Sequence, residues 1–154
     1  MNQKLSIIAI FLLVALSFVN AIPLHKRVTT FAPCPSGEGA ANPTTVSIQP
    51  DPPIRGGTAM IIISGTLNTG TIDPGSAVVI RTVDNTGTTI GTPFVADLCS
   101  LDGATCPIPT GASFSITLNQ LQVPATLPQT YSLVVGIVDA SNNTLTCALG
   151  TING

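Results

Sequence analysis

From residue 45 onward the chain alternates short apolar clusters with turn-forming punctuation. Clusters rich in Val, Ile and Thr occupy 45–48, 58–63, 77–83, 89–98, 113–118, 131–138 and 144–149. Between them stand Pro50-Asp51-Pro52-Pro53, Gly56-Gly57, Asp73-Pro74-Gly75, Asp84-Asn85-Thr86-Gly87 and Ser141-Asn142-Asn143, residue types that set turns through fixed or positive φ angles. The spacing predicts seven short strands. Helical stripes are scarce, and 13 prolines with 14 glycines would break most helix candidates. An all-β, two-sheet antiparallel sandwich is the architecture that buries one face of each such strand.

Alternation also sets which way side chains face. In 113–118, Phe114, Ile116 and Leu118 share one face while Ser113, Ser115 and Thr117 share the other. With Arg81 outward, Val78 and Ile80 point in; with Asp97 outward, Phe94, Ala96 and Leu98 point in. Met60 to Ile63 and Leu133 to Val135 are apolar on both faces, which predicts either fully covered central strands or an interior extended beyond an ordinary core.

The N-terminus changes the compartment. Residues 5–19 are apolar but for Ser6 and Ser17, and Val19-Asn20-Ala21 matches a cleavage site, so 1–21 reads as a secretory signal peptide. The stretch is short for a membrane anchor, which needs about 20 apolar residues. Lys26-Arg27 either marks a processed pro-segment over 22–27 or is a charged pair on a frayed terminus. The remaining domain, 28–154, carries two basic residues (Arg55, Arg81) against seven acidic ones, a net charge of −5. With no basic cluster, nucleic acid is excluded as a partner. Only 8% of residues are charged, so solubility rests on Ser, Thr, Asn and Gln.

Elimination removes most chemistry. The only histidine, His25, falls beside the cleavage site, which leaves no Ser-His or Cys-His pair and no imidazole ligand. No phosphate-binding glycine loop is present. Asp97 and Asp102 are the closest carboxylates in sequence, and loops collect solvated Asp for turn-forming reasons. No catalytic residues, metal or cofactor are expected. The spacing of Cys99 and Cys106 suits neither a zinc site nor a redox motif. Four cysteines in an oxidising compartment allow three disulfide pairings; the economical one joins Cys99 to Cys106 and Cys34 to Cys147. Asn142-Asn143-Thr144 is an N-glycosylation sequon in the expected last hairpin, or an unmodified Asn-rich turn; Pro43 excludes Asn42.

Pro33-Cys34, "IQPDPPIRGG" at 48–57, "DLC" at 97–99, "CP" at 106–107 and Leu145-Thr146-Cys147 together resemble the ML lipid-recognition family. The branches most alike are the fungal phosphatidylglycerol/phosphatidylinositol transfer proteins and the Niemann-Pick sterol carrier. Each motif alone is weak; their order and spacing over 31–152 carry the resemblance. It implies an immunoglobulin-like sandwich holding a phospholipid or sterol between its sheets without catalysis, with disulfides Cys34–Cys147 and Cys99–Cys106. A small-loop cysteine pair found in some members between the first strands is missing. The expected lipid lining is Ile62, Val78, Ile80, Phe94, Ile108, Phe114, Ile116, Tyr131, Leu133 and Val135, with Phe94 and Ile108 at the mouth. The expectation is a monomeric carrier, secreted or in the vacuolar lumen, that touches membranes transiently. The alternative is a secreted adhesion or effector module with a solid interior.

Overall fold

The computed structural model describes residues 28–153; the expected signal peptide, 1–21, and pro-segment, 22–27, lie outside the described residues. Among the described residues, eight strands form two antiparallel sheets: β1 (Phe31–Pro33), β2 (Thr44–Gln49), β3 (Thr58–Thr66), β4 (Ala77–Val83), β5 (Phe94–Asp97), β6 (Ser113–Gln122), β7 (Thr130–Val138) and β8 (Thr144–Asn153). The five-stranded sheet runs β1-β8-β7-β4-β5 and the three-stranded sheet β2-β3-β6. The immunoglobulin-like sandwich expected from the sequence is the observed architecture.

Three details differ from the strand pattern. The additional strand, β1, is a three-residue edge held by pairing with β8 from Phe31–Gly150 to Pro33–Ala148, too short to register as a cluster. The expected strand over 89–98 shrinks to Phe94–Asp97, because Gly91 takes φ +71° and Pro93 lacks the N–H a ladder needs. Leu98–Ser100 then forms a 3₁₀ turn capped by Asp97, whose carboxylate accepts from the Cys99 N–H at 3.0 Å.

The core lies between the sheets. Ile61, Ile63, Val78, Phe114, Ile116, Leu133, Val135 and Ile137 are all buried in one apolar cluster, as alternation requires. The strands that are apolar on both faces resolve differently from either expectation: their second faces carry Ile62 and Val134 outward, half-buried. Both disulfides of the economical pairing are present, Cys34–Cys147 and Cys99–Cys106.

Candidate functional site

At one end of the sandwich the inner faces of the two sheets part. Ile48 of β2 and Leu121 of β6 meet Ile80 and Thr82 of β4, Phe94 of β5, and Tyr131 and Leu133 of β7, while Pro53, Thr92, Val123, Pro124 and Leu127 come from the loops at that end. The strands deliver these residues because each presents its inward positions at the same level: Ile80 pairs with Phe94 and Val135, and Tyr131 with Ile152. The cavity at this mouth is about 40 Å³. That is room for a few waters at most, against roughly 300–1,000 Å³ for a small-molecule site. A lipid tail enters only if the sheets separate further.

The rim is polar. Arg55 donates from Nη2 to the Pro128 carbonyl at 3.0 Å, joining the 50–57 loop to the 123–129 loop. Thr29 donates its N–H and hydroxyl to the two Asp51 carboxylate oxygens, both at 2.6 Å. Burial raises the Tyr131 hydroxyl above its ordinary pKa, with Arg55 opposing the shift and Asp51 adding to it. This phenol therefore stays protonated through the physiological range and offers one donor beside one cation. Ile54, in the same loop, is 63% exposed.

Of the expected lining, Ile80, Phe94, Tyr131 and Leu133 stand at this mouth. Val78, Phe114, Ile116 and Val135 belong to the same buried cluster deeper in the sandwich. Two residues require correction. Ile62 pairs with Ser47 and Thr117 on the outer face of the three-stranded sheet, since in β3 the odd positions Ile61 and Ile63 take the inside. Ile108 pairs with Ile72 at the end opposite Phe94, so the two do not frame one mouth.

Ile48, Leu121 and Leu127 were not expected. The inward alternation of β6 breaks after Leu118, where a bulge between Ala59 and Ile61 on β3 shifts the register, and Leu121 resumes the inward side three residues on instead of two. The resumed alternation of Leu121 and Val123 was the available signal.

The disulfide loop serves the opposite end and one flank. Between β5 and β6, the two strands at the same side of the sandwich, Asp102 pairs with Thr117 through the Thr117 N–H at 2.8 Å. The Asp102 carboxylate also accepts from the Asn119 side-chain amide. Gly103, at φ +85°, sits so close to β6 that a Cβ would collide with the Ser115 carbonyl oxygen. The Cys99–Cys106 loop thus lies away from this mouth, where its residues Gly103 and Thr105 border a separate open pocket of about 330 Å³ with Ile108 and Phe114. Asp97 and Asp102 are each engaged in shaping it. Among the described residues no three His, Cys, Asp or Glu side chains cluster as a metal site, and buried polar side-chain atoms all have partners.

These features define a disulfide-braced β-sandwich whose layers meet at an apolar mouth with a polar rim. The ML domain model matches residues 28–153, and the chain belongs to the ML domain family. No curated protein matches it in sequence. Among solved structures, a Niemann-Pick type C2 protein from the Japanese carpenter ant is similar at 13% identity and TM-score 0.52, over 84% of this chain and 95% of that one. Chicken MD-1, solved complexed with lipid IVa, is 14% identical with TM-score 0.47, over 80% of this chain and 87% of that one.

Proposed function

We propose that the protein binds a single lipid, its tail entering between the sheets at the mouth and its head group remaining at the Asp51, Arg55 and Tyr131 rim. The observation that carries this reading is an apolar seam between the two sheets, edged at this end by polar groups, in a chain of the ML family. Arg55 is one of two basic residues in 28–153, and a guanidinium beside a phenol suits a phosphate with a hydroxylated head group. A phospholipid of the phosphatidylglycerol or phosphatidylinositol type is therefore favoured over a sterol.

The mechanism is transfer without bond chemistry. Each methylene moved from water to the seam is worth about 0.8 kcal/mol, but a bilayer offers the same gain, so uptake and release are nearly balanced and the lipid exchanges. The exposed Ile54 beside the mouth supplies a small apolar contact with the membrane, while the acidic chain has no charge attraction to anionic surfaces. Two disulfides fit a secreted or lumenal carrier, acting as a monomer.

A second reading, an interaction module with a solid interior, is favoured by one observation, the 40 Å³ cavity. Native mass spectrometry of protein secreted from a eukaryotic host separates the two. The carrier retains co-purified phospholipid mass and moves fluorescent phosphatidylglycerol or phosphatidylinositol between vesicles. Protein free of lipid that neither binds nor moves either lipid is the solid module.

A further inference from the structure

A groove of about 320 Å³ lies on the outer face of the five-stranded sheet, away from the lipid seam. Its floor is Gly136, which has no side chain to fill the space between Val134 and Val138, the outward positions on either side of it. Val79 of β4 and Cys147 of β8 pair with Gly136 from its two neighbours. Glu38 and Pro93 wall the groove, and Val95, paired with Val79, is 61% exposed on the edge strand β5. Exposed apolar surface next to an unpaired sheet edge is an association hazard unless something covers it. With 8% charged residues in the chain, few ionic groups are available to do so.

Asn142 lines the same groove. It stands exposed in the β7–β8 turn at φ +65°, a conformation Asn tolerates. The Asp139 carboxylate holds that turn through Ser141 N–H, Asn143 N–H and the Asn143 side-chain amide, all at 2.8 Å. The Asn142 backbone N–H donates to the Asp139 carbonyl at 3.0 Å, but its side chain takes no part in the carboxylate network, and it opens the sequon Asn142-Asn143-Thr144.

We infer that Asn142 carries an N-linked glycan whose first sugars lie in this groove and cover the outer sheet face. In the secretory lumen the Asn142 Nδ2 attacks C1 of the terminal N-acetylglucosamine of a lipid-pyrophosphate-linked oligosaccharide. The N–C1 bond forms, the C1–O bond to pyrophosphate breaks, the lipid pyrophosphate leaves, and an amide proton passes to a base. The C–H face of the pyranose and the acetamide methyl then rest on Val134 and Val138, while ring hydroxyls reach Glu38 and Arg81. The glycan supplies hydration that the surface otherwise lacks.

Protein secreted from a eukaryotic host, measured by intact mass before and after peptide-N-glycosidase F, tests attachment. One glycan is expected, lost in Asn142→Asp, which keeps a residue suited to positive φ, and in Thr144→Val, which keeps the side-chain shape. Wild-type protein at its unmodified mass overturns the inference. Coverage is tested on the glycosylated protein by NMR: contacts from the acetamide methyl to the Val134 and Val138 methyls are expected, and deglycosylation should raise hydrophobic-dye binding several-fold. An attached glycan with no such contacts and unchanged dye binding overturns the covering role.

Discussion

The two ends of the sandwich are built differently. At the closed end, Ile72 and Ile108 pair through both backbone N–H groups at 3.0 and 2.8 Å, and the Cys99–Cys106 loop bridges the flank to β6. Asn42, 2% exposed, ties three segments there. Its Oδ1 accepts from Asn68 and Thr69 N–H at 2.7 and 2.9 Å, and its Nδ2 donates to the Thr69 and Leu145 carbonyls at 3.0 and 2.8 Å. At the mouth, the links between the 50–57 and 123–129 loops are the Arg55 contact and the Gly56 and Val123 backbone bonds. The 84–93 loop is stapled mainly to itself through Asp84. On the proposed lipid reading, the more heavily cross-linked end would serve as the hinge and the mouth as the opening through which a tail is admitted.

Weakening the closed end should cost stability. Replacing Cys34 and Cys147 by Ser opens a closure spanning 113 residues and is expected to cost about 5 kcal/mol, against about 2 kcal/mol for Cys99 and Cys106. Denaturant midpoints of the two variants check the order. Ile72→Ala, at a fully buried site, should cost about 4 kcal/mol yet leave the lipid dissociation constant within about threefold. Leu121→Trp reverses the pattern: overpacking the mouth costs about 1–3 kcal/mol but lowers phospholipid binding at least tenfold, read by fluorescent-lipid titration.

Smaller effects come from protons. Tyr131 is the only tyrosine in the chain, so ultraviolet titration reports it alone; its midpoint should lie above the ordinary phenol value and rise further when lipid displaces water from the mouth. Because the folded pKa is raised, folding loses stability as pH climbs past the unfolded value of about 10. Asp84 at the mouth and Asp139 at the closed end are both lowered, chiefly by the side-chain hydrogen bonds of Thr86 and Asn143. Each contribution is complete above the unfolded pKa of about 3.9 and is lost as pH falls through the folded value. Carboxylate NMR titrations should place both midpoints below that figure.

Much of this architecture was legible in the sequence because strands with one buried face advertise it. Phe114, Ile116, Val78 and Ile80 alternate cleanly, and all are inside. Where both faces are apolar the signal cancels, and the pattern alone does not say which side Ile62 takes. Ile108 is close in sequence to the disulfide, but loop residues follow the strand ends they connect, and β6 begins at the end opposite the mouth. Leu121 was hidden by a register shift that depends on β3. Asn42 read only as a sequon spoiled by proline; its four hydrogen bonds involve residues up to 103 positions away, beyond any local pattern.

In the proposed binding mode, a tail enters at the mouth and stops short of Ile72 and Ile108. Titrating isotopically methyl-labelled protein with a phosphatidylglycerol bearing a nitroxide on its acyl chain tests it most directly. Paramagnetic broadening of the Ile48, Ile80, Leu121 and Leu133 methyls is expected, while Ile72 and Ile108 stay sharp. Broadening centred on Ile72 and Ile108, or none at saturating lipid, would contradict it.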